Sequence, residues 1–329
     1  MFFDGEPLNS EEKKTAFNEK YLPLPRIRQE DMKRVCNIFR GMGVALVTPF
    51  CADGSVDMES LSLLVDKHLK EKTDFLCVLG TTAETPCLSI EEKREILKTV
   101  VERVKGRIPM LLGCGGNNTR EVLHYLQNEN LAGVDGVLIV TPYYNKPSQE
   151  GLYRHFKTIA SATSLPVVLY NVPGRTGVNM EACTTLRIAA DCPNVVAIKE
   201  ASGKISQIED ILNGAPEGFE VLSGDDAITL ELLTVGVSGV ISVIGNAYPF
   251  RFGEMVHMAM NGRFSEALRM HRSFSELYKL MTAEGNPVGI KGLLAELGVC
   301  ANYLRLPLVP ASVFLQERIR GVLEQTAFE

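Results

Sequence analysis

The sequence has no stretch of about 18 apolar residues, so no segment is expected to cross a membrane as a helix. Its start, Met1-Phe2-Phe3-Asp4-Gly5-Glu6, has neither a basic n-region nor an apolar h-region, so no export signal is expected. Lysine and arginine are in deficit, with a formal net charge of -6, which argues against a nucleic-acid or anionic-membrane partner. A small anionic substrate is still compatible, because a local basic site can sit in an acidic protein. The eight cysteines, at 36, 51, 77, 87, 114, 183, 192 and 300, include no CxxC pair and no histidine at zinc-finger spacing. Several lie in apolar runs such as Phe75-Leu76-Cys77-Val78-Leu79, where a free cysteine is a small core residue. Reduced thiols of a cytoplasmic protein are the expectation. The five histidines, at 68, 124, 155, 257 and 271, form no ligand set, and neither a metal nor a cofactor is expected.

A chain of 329 residues, 45% hydrophobic, can bury a large core, and either two average domains or one barrel with an appendage would fit. From residue 43 short β-branched or apolar runs alternate with longer helix-like segments, the pattern of parallel β/α architecture. Candidate strands are 43–47, 74–79, 109–113, 135–141, 166–170, 195–199, 219–223 and 239–243, and eight is the number that closes a barrel. Amphipathic stretches such as Met58–Leu69, Ile90–Val104, Thr119–Leu131 and Gly151–Ala162 lie between them. The competing open, doubly wound sheet announces itself with GxGxxG after the first strand, but Thr48-Pro49-Phe50 follows Val47. The expected fold is therefore an α/β (β/α)8 barrel over 39–248, with a helical C-terminal domain over 249–329 that reads as helices only, Arg263–Met281 among them. Residues 1–38 read as an extension outside the core fold. Met32 and Met42 lie close to the fold's start, so an over-extended start is the alternative to a functional arm.

Active sites of such barrels collect at the C-terminal ends of the strands. The second strand runs into Gly80-Thr81-Thr82-Ala83-Glu84, the fourth into Tyr143-Tyr144-Asn145, and the fifth into Tyr170-Asn171-Val172-Pro173-Gly174-Arg175. The sixth ends in Lys199-Glu200, the seventh in Ser223-Gly224-Asp225-Asp226, and the eighth in Ile241-Ser242-Val243. Lys199 closes an apolar run, and a dry site favours the neutral amine that attacks carbonyls. The alternative is a structural pairing with a carboxylate such as Glu200. Tyr170 is a candidate proton shuttle, although a tyrosine taken singly is more often a packed aromatic with a satisfied hydroxyl. The Gly80-Thr81-Thr82 turn suits a carboxylate or merely caps a helix. Arg175 is either a bidentate carboxylate receptor or a surface residue.

Together these segments closely resemble the family of 4-hydroxy-tetrahydrodipicolinate synthases, in the superfamily that also holds N-acetylneuraminate lyase. The resemblance covers roughly 42–320, with Gly43–Phe50, Tyr143–Pro147, Tyr170–Gly177, Ile198–Ala201 and Gly239–Val243 matching in order and spacing. It implies a homotetramer (a dimer of dimers) of barrels with a helical C-terminal domain. The implied reaction condenses pyruvate with aspartate-4-semialdehyde on the diaminopimelate route to lysine. By the same resemblance Lys199 forms the Schiff base, Tyr170 donates and accepts protons, and Thr81 links Tyr170 to a Tyr144 supplied by a neighbouring subunit. Thr82 holds the pyruvate carboxylate with the backbone of Ile241 nearby, Gly224 joins the substrate-binding set, and Arg175 holds the aldehyde's carboxylate. Imine, enamine, attack on the aldehyde and hydrolytic release need no metal.

Two departures from the family pattern stand out. Ala83 replaces the usual glycine after the threonines, at some cost in backbone freedom. Asn117, Glu121 and Tyr143 match the family's lysine-feedback site, whereas Ile90 and Lys93 stand where inhibited members often carry histidine. Another pyruvate-dependent aldolase, such as N-acetylneuraminate lyase, would share Lys199 and Tyr170; Arg175 and the Tyr143-Tyr144-Asn145 segment favour the synthase. A non-catalytic ligand-binding barrel would have lost one of Lys199, Tyr170 or the threonines.

Overall fold

The strands of this protein alternate strictly with helices and pair in chain order. In the computed structural model, which describes residues 37–325, β1 (Gly41–Ala45), β2 (Phe75–Val78), β3 (Met110–Gly113), β4 (Gly136–Val140), β5 (Val167–Asn171), β6 (Val195–Glu200), β7 (Glu220–Ser223) and β8 (Gly239–Ser242) form a closed parallel barrel, β8 returning to β1. The extension assigned to residues 1–38 lies, apart from its last two residues, outside the described residues. The first strand begins two residues earlier than the sequence suggests, because Gly41 and Met42 pair with Gly239 and Val240. Leu46 and Val47 continue the apolar run beyond the strand, buried against the helices.

Helices α1 (Met58–Lys70), α2 (Ile90–Val104), α3 (Thr119–Asn128), α4 (Gln149–Ala160), α5 (Ala182–Asp191), α6 (Ile205–Gly214), α7 (Thr229–Val235) and α8 (Pro249–Met260) form the outer ring. Each strand is buried on both faces, as parallel sheets require. One set of side chains, including Phe75, Leu111, Val168 and Leu222, fills the barrel; the other, including Val44, Leu76, Val167 and Ile198, meets the helices. The start of α2 shows how local chemistry places an element. Ser89 accepts from the Glu92 backbone N–H, and Glu92 accepts from that of Ser89, a reciprocal cap that satisfies two otherwise orphaned donors.

Two features of the C-terminal region differ from the sequence reading. Helix α8 belongs to the barrel: its His257 bonds to Asp74 at 2.7 Å, and Asp74 also accepts from the Met42 backbone at 2.6 Å. We therefore place the division between barrel and helical segment after Met260. That segment contains α9 (Phe264–Ser273), α10 (Ser275–Ala283), α11 (Val288–Glu296) and α12 (Val313–Gln325), but it is not helical throughout. Arg263–Met281 breaks at Phe274, fully buried with its ring 5.7 Å from that of Phe252. Between α11 and α12 a non-helical stretch carries Arg305, which donates to the carbonyls of Gly54 and Cys87 and pairs with Glu92. No helix among the described residues is long and apolar enough to cross a membrane. The seven described cysteines are free thiols.

Candidate active site

In a regular strand successive side chains face opposite ways, so the direction of Lys199 depends on the register of β6. Val195 pairs with Val167, but Ala197 pairs with the next residue, Val168, leaving Val196 as the extra residue of a bulge. The bulge reverses the alternation. Val196 and Ala197 both face the barrel interior, Val195 and Ile198 face the helices, and Lys199 lines the cavity at the barrel mouth while only 5% exposed. Its amine lies 4.6 Å from the centre of the Tyr170 ring, on its register partner in β5. The structural pairing of Lys199 with Glu200 does not occur. The buried Glu200 carboxylate accepts from Asn171 Nδ2 at 3.1 Å, Gln207 Nε2 at 3.0 Å and the Ser202 backbone at 2.9 Å.

Two cavities, of about 560 and 420 Å³, share Thr81, Tyr170, Val172 and Arg175 in their walls. The larger also holds Lys199, Thr82 and Gly224. Gly224 is there for a steric reason: a Cβ on it would lie 3.1 Å from Lys199 Cε and 2.6 Å from the Ala201 Cβ. Thr81 and Thr82 sit on a 3-10 turn after β2. The left-handed residues of that segment are Leu79 and Glu84, so Ala83 meets no demand for glycine, and the departure at that position is accommodated. Arg175, on the helical turn Pro173–Thr176 after β5, is exposed and donates to the Asn286 carbonyl at 3.1 Å. Ile241 lies inside the barrel on β8, and Val243 two residues later lines the larger cavity.

Tyr144 is not brought to either cavity by its own chain. It is 90% exposed, with a left-handed backbone at φ 70°. Of the residues that the resemblance relates to lysine feedback, Asn117 Nδ2 donates to the Tyr143 carbonyl at 3.3 Å, and Tyr143 lines the smaller cavity, as does Lys93. Glu121 faces away to Asn118, whose amide donates to it at 2.9 Å. Burial pushes the Lys93 ammonium below the usual lysine range.

Two contributors were given no role in the sequence reading. Asn286, from the helical segment, donates from Nδ2 to Thr82 Oγ1 at 3.0 Å while its carbonyl holds Arg175. Nothing in the sequence links residues so far apart. Asp226 lines the larger cavity, and one of its oxygens accepts the Val243 and Ile244 backbone N–H groups at 2.9 and 2.8 Å. Burial pushes its carboxyl up to about 6 against those bonds. Its position in the run after β7 was the available signal. Among the described residues no group of three His, Cys, Asp or Glu is placed to hold a metal ion.

A family model described as the dihydrodipicolinate synthetase family matches residues 38–326. The 4-hydroxy-tetrahydrodipicolinate synthase of Phocaeicola vulgatus is 57% identical over 286 residues, 87% of this chain and 96% of that protein. Among solved structures, the dihydrodipicolinate synthase of Thermotoga maritima superposes with a TM-score of 0.85 at 43% identity, covering 88% of this chain and 98% of its own. The chloride-inhibited dihydrodipicolinate synthase of Acinetobacter baumannii, complexed with pyruvate, superposes with a TM-score of 0.84 at 38% identity, covering 87% and 98%.

Proposed function

This chain belongs to the dihydrodipicolinate synthetase family, and we infer from that membership that it condenses pyruvate with L-aspartate-4-semialdehyde to give 4-hydroxy-tetrahydrodipicolinate, in lysine and diaminopimelate biosynthesis. It is an enzyme of the class I aldolase type. The observation that carries the assignment to this chain's own residues is the Lys199 amine, buried at the end of β6 beside Tyr170 in a cavity walled by Thr82 and Arg175.

In this reading the Lys199 amine adds to C2 of pyruvate and water leaves, giving an imine. Loss of a C3 proton gives the enamine, whose C3 forms the new bond to the aldehyde carbon while the aldehyde oxygen takes up a proton; water then adds to C2 and the C2–Nζ bond breaks, freeing Lys199, and the substrate's amino group condenses with the released C2 carbonyl, losing water to close the ring. Tyr170 carries protons at these steps, with Thr81 relaying them to Tyr144. The exposure and left-handed backbone of Tyr144 support its delivery to the site of a second subunit, and a dimer of dimers supplies that neighbour. Thr82 and the backbone near Ile241 and Gly224 receive the pyruvate carboxylate, and Arg175 at the cavity mouth receives that of the aldehyde. A lysine-feedback site at Asn117, Glu121 and Tyr143 is the remaining part of this reading; the bond from Asn117 to the Tyr143 carbonyl beside the smaller cavity supports it, whereas Ile90 and Lys93 in place of histidine speak against strong inhibition. The free thiols and the absence of a membrane-spanning helix among the described residues accord with a cytoplasmic enzyme.

Borohydride reduction in the presence of pyruvate, followed by peptide mapping and a coupled condensation assay, tests the reading. The adduct is expected on Lys199, with Lys199→Ala losing nearly all activity; an adduct on any other lysine overturns it.

A further inference from the structure

The turn that carries Thr81 and Thr82 is bracketed by two non-glycine residues in the left-handed conformation, Leu79 at φ 56° and Glu84 at φ 54°. Such backbone crowds its own Cβ and persists only where surrounding contacts hold it. At the first end the Thr85 hydroxyl lies 2.8 Å from both the Leu79 and the Gly80 carbonyl oxygens, able to donate to either. At the other end the tie comes from the helical C-terminal segment. The Lys291 amine of α11 donates to Glu84 Oε1 at 2.6 Å, and the Arg305 backbone N–H donates to Oε2 at 3.0 Å. Lys291 also donates to the Tyr303 carbonyl at 2.9 Å and lies 4.1 Å from the centre of the Phe50 ring.

Both side chains of the pair are 0% exposed, and neither lines either cavity. An ion pair withdrawn wholly from water is a poor stabiliser, since lost hydration offsets the attraction and apolar side chains would pack as well. It does impose direction. A carboxylate held on both oxygens fixes the end of the turn relative to α11, and α11 is preceded by Asn286, which bonds to Thr82 itself.

We propose that Lys291 is a positioning residue for the pyruvate end of the site: through Glu84 it holds the turn that presents the Thr81 and Thr82 hydroxyls, making the helical C-terminal segment part of the catalytic apparatus. The inference rests on the reading above, in which those two threonines serve pyruvate and the proton relay. It predicts a larger effect on pyruvate than on the aldehyde, because Glu84 ends the threonine turn directly, whereas Arg175 stands on the β5 turn and meets the helical segment through its hydrogen bond to the Asn286 carbonyl.

The test compares the full-length wild type with Lys291→Met and with Glu84→Gln/Lys291→Met, which removes both charges at nearly constant volume. Each is followed by circular dichroism, thermal unfolding, steady-state kinetics in both substrates, and the rate of borohydride trapping with pyruvate. The double variant is expected to fold, with a pyruvate KM raised roughly tenfold, trapping at sub-saturating pyruvate slowed in proportion, and an aldehyde KM within about twofold of wild type. A folded double variant with wild-type pyruvate KM and trapping overturns the proposal, as does an equal rise in both KM values. Should both variants fail to fold, Glu84→Gln decides: it keeps the shape and one accepting oxygen, and its pyruvate KM should rise about threefold with the aldehyde KM constant. No change there also overturns the proposal. Absence of trapping in the wild type would remove the functional reading itself, whereas normal trapping in wild type and variants alike removes only the role of Lys291.

Discussion

Lys199 and Tyr170 are register partners on adjacent strands, and the pairing sets the lysine amine 4.6 Å from the centre of the tyrosine ring. The ring packs in the barrel interior, so its removal would open a cavity, whereas removal of the hydroxyl alone leaves the packing intact. Tyr170→Phe is therefore expected to fold normally and still give a borohydride-trapped pyruvate adduct, with kcat lowered about 10²- to 10⁴-fold. A variant with wild-type kcat would remove Tyr170 from the proton path.

Arg175 is exposed at the cavity mouth, held by one contact to the Asn286 carbonyl. A charge-assisted contact to a carboxylate contributes roughly 1.5 to 3 kcal/mol, about tenfold to a hundredfold in binding. Arg175→Ala should raise the KM for the aldehyde by that order and leave the pyruvate KM nearly unchanged. Equal effects on both substrates would withdraw the assigned role.

Tyr144 lies 90% exposed and away from both cavities of its own chain. Mixing Tyr144→Phe subunits with Lys199→Ala subunits, under conditions that exchange protomers, distinguishes sharing from a role within one chain. A hybrid dimer has one site with Lys199 from one chain and Tyr144 from the other, and a second site with neither. Partial recovery of activity is expected. No recovery in verified hybrids would mean that Tyr144 acts within its own chain.

Burial drives the imidazole of His68 down to about 3, with the Lys67 charge adding to the effect, and that of His155 down to about 4. Each Nδ1 meets a threonine hydroxyl, and each Nε2 is buried with no partner to take a second proton. Unfolded, both titrate near 6.5, so the stability tied to their neutral forms is complete above that pH. It is lost as pH falls from 6.5 towards 4 and 3, at about 1.4 kcal/mol per pH unit for each histidine at full slope. His257, raised by its bond to Asp74, works in the opposite sense. Urea midpoints measured from pH 7 to pH 5 should fall, and His68→Gln should flatten the fall; a variant with the wild-type slope would contradict the assignment.

The order and number of strands were legible because each is a short apolar run buried on both faces and separated from the next by an amphipathic helix. Strand ends were less so. Gly41 joins β1 by pairing with Gly239, a neighbour in the closed barrel that is remote along the chain, while the equally apolar Leu46 and Val47 lie beyond the strand. The sequence reads Pro249–Met260 as a helix but does not say which surface its apolar face meets, and its His257 bond to Asp74 ahead of β2 is seen only in three dimensions. Asn286 and Lys291 were invisible for a related reason. Their partners Thr82 and Glu84 lie 204 and 207 residues away, and only the docking of the helical segment on the barrel joins them.

The sequence by itself determined that a lysine ends an apolar strand and a tyrosine ends its neighbour. Hydrophobic period and chain order fix both, and barrel closure brings such strand ends to one mouth. Which way the lysine faces was decided only in three dimensions. The pleat has a period of two, so the single extra residue at Val196 turns every following side chain of β6 to the other face. That bulge aims Lys199 into the cavity and Glu200 out to Asn171 and Gln207, and it exists only in the pairing between β5 and β6.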